Sequence, residues 1–209
     1  MAAGKSDKRL YEEWDQRWHA PEDNECLTMV GRRMFKAKKK ALWAVLQGID
    51  PGSICEIGCG LGYTLGFLQE AGYRCEGIDV SANAVRECLR KGLKARQQKL
   101  EDVTDVFDLV SSDGMLEHFL HFEPYARHMM RISRKYVLLI QPNYDSLSGQ
   151  SLAFLANVLR RKVNVYEYNY RICDFVSVFA DHAFQLIDSR PVFYDVCRIL
   201  LFERTEVKK

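Results

Sequence analysis

The 209-residue chain is 47% hydrophobic and 28% charged, the balance of one globular domain able to bury a substantial core, which excludes collagen-like, disulfide-scaffold and wholly disordered chains. Its 30 basic and 28 acidic residues leave a formal charge of +2, too even to point to a protein that coats nucleic acid. Aliphatic and aromatic runs such as Tyr136 to Ile140 fall far short of the roughly 20 apolar residues of a membrane helix, and no apolar stretch follows the polar N-terminus, so a cytoplasmic protein without a membrane span is expected.

Residues 1–28 read as a polar N-terminal extension carrying Tyr11, Trp14 and Trp18, with a loop at Pro21 to Asn24. From Met29 to Gln47, apolar positions at near-helical spacing stand beside Lys36, Lys38, Lys39 and Lys40, which predicts an amphipathic helix with the lysines as its solvated face. After the Asp50 to Ser53 turn, the short apolar run Ile54 to Ile57 flows into Gly58-Cys59-Gly60-Leu61-Gly62, a strand followed by a glycine turn. A helix from Tyr63 to Ala71 stops at Gly72; then come a strand at Cys75 to Val80, an N-cap at Ser81 and a helix to Lys91 closed by Gly92.

Further strands are expected around Ala95 to Leu100, at Phe107 to Ser111 and at Tyr136 to Gln141, with a helical segment from about Met115 to Ser133. Phe184 to Asp188 and Cys197 to Phe202 read as two strands with Pro191 between them and no intervening helix. The alternation predicts a doubly wound, mostly parallel α/β sheet closed by an antiparallel C-terminal hairpin, with ligands at the carboxyl ends of the strands.

Seven cysteines, at 26, 55, 59, 75, 88, 173 and 197, lack the paired rhythm of a zinc site and read as free thiols of a reducing compartment. His118, His121 and His128 would share a helical face, but no two-histidine-plus-glutamate zinc motif accompanies them, and no metal is expected.

The chemistry lies in the glycine loop. Glycines between a strand and a helix let backbone amides approach a ligand closely, and the helix N-terminus offers unpaired N–H donors. Asp79 ends the next strand, 21 positions after Gly58, where a carboxylate can accept both hydroxyls of a ribose. A nucleoside-containing cofactor follows. The loop spacing is GxGxG, and Tyr63-Thr64-Leu65 follow Gly62, so the third small residue of a dinucleotide site is missing.

In the order and spacing of Glu56 to Gly62, Gly77-Ile78-Asp79-Val80-Ser81, Phe107-Asp108-Leu109-Val110, Met115-Leu116-Glu117-His118 and the two-strand tail, residues from about 40 to 205 resemble the class I S-adenosylmethionine-dependent methyltransferases. The resemblance implies a Rossmann-like, seven-stranded sheet and S-adenosyl-L-methionine as cofactor, with S-adenosyl-L-homocysteine as product. It places Gly58, Cys59, Gly60 and Gly62 along the methionine and ribose, Glu56 at the methionine amino group, Asp79 at the ribose and Val80 beside the adenine. Ser112, just past the fourth strand, joins this set. Where the family carries an acid facing the adenine amine stands Lys99, followed by Leu100; Glu101, Asp102 or the backbone would then make that contact.

Methyl transfer demands alignment more than acid–base machinery. Asp113 and Gly114 stand where the family places substrate, and Glu117 and His118 resemble its Leu-Glu-His element. His118 would serve either as a general base on the acceptor or, with Glu117, as a brace for the loop. Family members place acceptor specificity in the N-terminal extension and in the segment at 143–182, a substrate cap outside the core of the 29–209 domain. Tyr11, Trp14, Tyr144, Tyr166, Tyr168 and Tyr170 would form an aromatic lid there or pack the extension onto the core. The apolar run Leu152 to Leu159 and the basic Arg160 to Lys162 lie in the same segment.

The expected reaction is methylation of oxygen, nitrogen or carbon of a small molecule. An NAD-dependent oxidoreductase, a cofactor-binding protein without turnover, and a tRNA or protein methyltransferase are the alternatives. Nucleic acid is disfavoured because Ser112-Asp113-Gly114-Met115 replaces the Asn/Asp-Pro-Pro-aromatic tetrapeptide of amino-methylating DNA enzymes.

Overall fold

The computed structural model describes residues 3–18, 29–151 and 167–205; the expected Pro21 loop, Cys26, the Leu152 to Lys162 segment and Tyr166 lie outside the described residues. Seven strands form one sheet: β1 (Ile54–Ile57), β2 (Cys75–Asp79), β3 (Ala95–Gln97), β4 (Phe107–Asp113), β5 (Ser133–Pro142), β6 (Phe184–Val192) and β7 (Cys197–Arg204). Their order is β3-β2-β1-β4-β5-β7-β6. The first five run parallel, and β7 runs antiparallel to both β5 and β6, so the architecture is the one the alternation predicts. The order reverses beside β1 and β4, which sets the carboxyl ends of those strands at the crevice where such sheets bind ligands.

The described α-helices are α1 (Ala3–Arg17), α2 (Met29–Leu46), α3 (Tyr63–Glu70), α4 (Ala82–Arg90), α5 (Glu123–Ile132) and α6 (Ile172–Ala180). β5 shows why its sequence is apolar without alternation: Val137 and Leu139 pack with Phe122, Met129, Phe175 and Phe179 on one face, whereas Leu138 and Ile140 pack with Leu42, Val45 and Leu46 of α2 on the other. A strand covered on both faces needs apolar residues at every position.

Four local expectations are corrected. The N-terminal extension, read without an element, holds the four-turn helix α1. The segment expected to be helical from Met115 to Ser133 is divided into a 3-10 turn at Leu116–His118 and α5, which starts at Glu123 with Pro124 in its first turn; Ser133 already begins β5. Proline is favoured where the N–H is unpaired anyway, so Pro124 restarts a helix rather than continuing one. β3 ends at Gln97, and Leu100 belongs to a 3-10 turn, Leu100–Asp102. Pro191 lies inside β6, which is the sheet edge and tolerates a missing ladder donor.

Candidate cofactor site

A cavity of about 230 Å³ opens at the carboxyl ends of β1, β2 and β4, and the glycine loop forms one wall. Gly60 and Gly62 adopt φ of 50° and 74°, left-handed backbone that glycine enters without steric cost. At Gly62 a Cβ would also stand 2.5 Å from Leu93 and 2.8 Å from the Cys88 sulfur, so the loop closes onto the β2–α4 layer only without a side chain there.

Asp79 is buried at the end of β2, where its Oδ2 accepts the Gly60 N–H at 2.8 Å and its Oδ1 accepts the Ser81 N–H at 2.8 Å. Burial pushes its carboxyl above the ordinary range, and the two backbone donors oppose that rise. Each oxygen retains a lone pair, the geometry that two neighbouring ribose hydroxyls require. Val80, Leu100 and Gln98 continue the wall past Asp79. The Gln98 N–H is held by the Asp79 carbonyl at 2.9 Å. Of the acids considered for the adenine edge, Glu101 instead accepts the Tyr11 hydroxyl at 3.2 Å, and neither it nor Asp102 lines the cavity.

At the other end, Glu56 is buried on β1 and its Oε2 has no partner. Burial raises its carboxyl well above the usual value, and the like charge of Asp113 adds to the rise. A buried carboxylate oxygen without a partner is a costly arrangement that an incoming cationic donor relieves. The methionine ammonium of S-adenosylmethionine has that chemistry, and the Asp79 and Glu56 ends together fit the cofactor the resemblance implies. Asp113 also lines the cavity and accepts Lys38 Nζ at 2.7 and 2.8 Å and the Thr64 hydroxyl at 2.8 Å. Ser112 lies below with Glu56 and Ile140 around a smaller cavity, its hydroxyl buried without a partner.

Helix α1 crosses the cavity mouth. Tyr11, Trp14 and Trp18 line it, three aromatic residues at the i, i+3, i+7 spacing of one helical face. That spacing was the sequence signal for Trp18. Asp15 anchors the helix: its carboxylate accepts the Ser81 hydroxyl at 2.6 Å and the Asn83 N–H at 3.2 Å, and its carbonyl accepts the Asn83 side-chain amide at 3.0 Å. Ser81, the expected N-cap of α4, does cap it by accepting the Ala84 N–H.

The remaining site residues lie beside the cavity rather than along it. His118 is buried with its ring edge-on to Trp14, centroids 4.8 Å apart. Glu117 is buried behind Gly114 with Oε2 unpartnered, and burial raises its carboxyl strongly. Tyr144 donates to Glu167 at 2.7 Å, and the Tyr168 N–H donates to the Glu117 carbonyl at 2.8 Å. Tyr170 donates to the Phe119 and Leu120 carbonyls and packs on Phe122, a core contact. Among the described residues no three His, Cys, Asp or Glu side chains are grouped to hold a metal ion, and no helix is long and apolar enough to cross a membrane. Asp15, Trp18, Lys38, Thr64 and Gln98 join the site from outside the set expected from the sequence.

Residues 29–186 match the family model of a methyltransferase domain. Magnesium protoporphyrin IX methyltransferase from Synechocystis PCC 6803, solved with bound SAH, superposes with a TM-score of 0.74 at 18% identity, covering 95% of this chain and 100% of that one. An S-adenosylmethionine-dependent methyltransferase from Thermotoga maritima gives 0.73 at 12% identity over 93% and 100% of the two chains. The 1,6-didemethyltoxoflavin-N1-methyltransferase of Burkholderia thailandensis, with its acceptor and S-adenosylhomocysteine bound, gives 0.71 at 13% identity over 99% and 92%. No curated protein matches the chain. The chain belongs to the methyltransferase-domain family, and its fold is that of the class I S-adenosylmethionine-dependent methyltransferases.

Proposed function

We propose that this chain transfers a methyl group from S-adenosylmethionine to a small-molecule acceptor. The observation that carries this reading is the pairing of Asp79 and Glu56 at the two ends of one cavity, the first with free lone pairs for a ribose and the second buried without a partner. Two of the methyltransferases above are named for small-molecule acceptors, and both hold S-adenosylhomocysteine, which supports the same assignment.

When bound, the cofactor supplies a sulfonium methyl that is already electrophilic. The chain's own residues have three tasks. Asp79, fixed by Gly60 and Ser81, orients the ribose, and Glu56 takes the amino group. Trp14 and Trp18 cover the mouth and exclude water from the sulfonium. Asp113, Gly114 and Met115 form the wall at the end of β4, where the acceptor meets the methyl group. Tyr11 and Trp14 present flat apolar surface, suited to an aromatic or apolar acceptor of small size. Glu117 and His118 stand behind this wall, His118 bracing Trp14. Of the 1–28 extension, helix α1 acts as the lid of the 29–209 domain.

Calorimetric titration with S-adenosylmethionine, S-adenosylhomocysteine and NAD tests the reading. Micromolar binding of the first two, lost in Asp79→Ala, is expected; binding of NAD alone overturns it.

A further inference from the structure

The lysine run of α2 reads in the sequence as a solvated face, and for Lys36 and Lys40 the structure agrees: both are exposed. Lys38 is different. Its side chain is only 15% exposed and reaches across from α2 to the end of β4, where Nζ donates to both oxygens of Asp113. Thr64, from the first turn of α3, donates to the same carboxylate, so three elements converge on Asp113.

Two carboxylates, Glu56 and Asp113, therefore line the same end of the cavity. Two acids sharing a buried site cannot both ionise readily, because each charge raises the proton affinity of the other. The groups whose charge acts most on Glu56 are Asp113 from β4, Lys38 from α2, the Cys88 thiol from α4 and Asp79 from β2. Of these, Lys38 alone is cationic.

We propose that Lys38 sets the charge of the cofactor's methionine end: by binding Asp113 it leaves Glu56 as the single carboxylate there without a counter-charge, so that the cavity floor matches one ammonium group. Lys38 is thus a positioning residue, acting through Asp113 and Glu56. The inference rests on the reading that the ligand is S-adenosylmethionine, whose α-amino group is that ammonium. An amine pairs with one uncompensated carboxylate without burying excess charge. Without Lys38 the charge of Asp113 would go uncompensated and hold the Glu56 proton more tightly, so that ionising Glu56 for the incoming ammonium would cost more.

The test separates charge from structure with Lys38→Met, Asp113→Asn, the double variant and Lys38→Arg. The ligand-free titration of the Glu56 carboxyl, followed by carbon-13 NMR, needs no ligand and so stands whether or not the cofactor assignment does. Its midpoint should rise by about one pH unit in Lys38→Met, fall in Asp113→Asn and return toward wild type in the double variant and in Lys38→Arg. S-Adenosylhomocysteine affinity, measured by calorimetry between pH 5.5 and 7.5, should weaken roughly tenfold at pH 7 in Lys38→Met and recover to within about threefold in the double variant. A lysine that merely holds α2 against the sheet gives no such recovery, since the double variant lacks the bridge as well. An unchanged Glu56 midpoint in Lys38→Met, or a double variant that binds as weakly as the single, overturns the proposal. Should Lys38→Met not fold, an unshifted midpoint in Asp113→Asn overturns it equally. Absence of binding in wild type with the NMR shifts present overturns the cofactor assignment and leaves the charge-setting role of Lys38 standing.

Discussion

The indole of Trp18 lies over Gly60, close enough that a Cβ on the glycine would stand 3.3 Å from Cζ2 of the ring. The glycine loop and the N-terminal helix therefore meet directly above the cofactor cavity, and the left-handed φ of Gly60 is needed on one side of that contact while free space is needed on the other. Gly60→Ala should lose about 1–2 kcal/mol to backbone strain and push Trp18 outward by a few tenths of an ångström. The expected readouts are a Tm lowered by roughly 2–8 °C and weaker binding of S-adenosylhomocysteine. A variant with wild-type affinity would show that the loop tolerates the side chain and that Trp18 plays no part in holding the ligand.

Asp15 gives α1 its register on the domain. Its carboxylate is held below the ordinary value near 3.8, chiefly by the Ser81 hydroxyl, and it also accepts the Asn83 N–H. A depressed carboxyl stabilises the folded contact above its unfolded value and loses that contribution as pH falls through the folded one. Docking of α1 through Asp15 should thus be constant around neutrality and weaken only in acid below about pH 4. Asp15→Ala should make the helix release at neutral pH, shifting the docking equilibrium roughly tenfold. Tryptophan fluorescence from Trp14 and Trp18, together with the rate of tryptic cleavage after Arg17, reads this directly. Unchanged cleavage would mean that the aromatic contacts alone seat the helix.

Much of this site is legible in the sequence because its signals are local. Glu56, the three glycines and Asp79 announce themselves through strand, turn and N-cap patterns spanning a few residues each; the structure brings Glu56, Gly58, Gly60 and Asp79 together in one cavity, whereas Gly62 lies outside the lining and closes the loop against Leu93 and Cys88. Lys38 and Asp15 carry no such local mark, and Trp18 has only its i, i+3, i+7 spacing with Trp14 and Tyr11. Their partners Asp113, Ser81 and Gly60 stand 42 to 75 positions away in the chain, and a lysine in a run of lysines looks solvated until the partner carboxylate is placed. The Met115 to Ser133 segment misleads for a different reason. Leu116, Phe119 and Phe122 are all buried and keep an apolar rhythm, yet the chain reaches those positions through a 3-10 turn and a link that is extended at Phe119, before α5 begins at Glu123.

Glu56 places function and stability in opposition. Burial and the neighbouring Asp113 charge raise its carboxyl well above the ordinary value, so in the ligand-free protein the ionised form is disfavoured. For a carboxyl raised in the folded state the linkage runs opposite to that of Asp15: stability grows as pH falls from neutrality through the folded value and ceases to grow below the unfolded one. Glu56→Gln removes the buried charge altogether. The variant should be more stable than wild type at pH 7, by about 1 kcal/mol or 2–4 °C in Tm, with a smaller gain at low pH. It should also lose most of its affinity for S-adenosylmethionine. A lower Tm at pH 7 with affinity retained would place the methionine amino group elsewhere.

His118 decides between brace and base. Its buried ring meets Trp14 edge-on at 4.8 Å, and it stands outside the cavity lining, so its effect on the ligand should pass through the α1 aromatic face. His118→Ala opens a void beside Trp14 and should weaken S-adenosylhomocysteine binding about three- to tenfold while altering Trp fluorescence. His118→Phe restores an aromatic edge without a titratable nitrogen and should recover both readouts. Recovery in the phenylalanine variant assigns His118 to packing. The opposite pattern would be normal binding in both variants with methyl transfer lost in both, and it would move the histidine to the acceptor as a general base, since only that role needs the ring nitrogen.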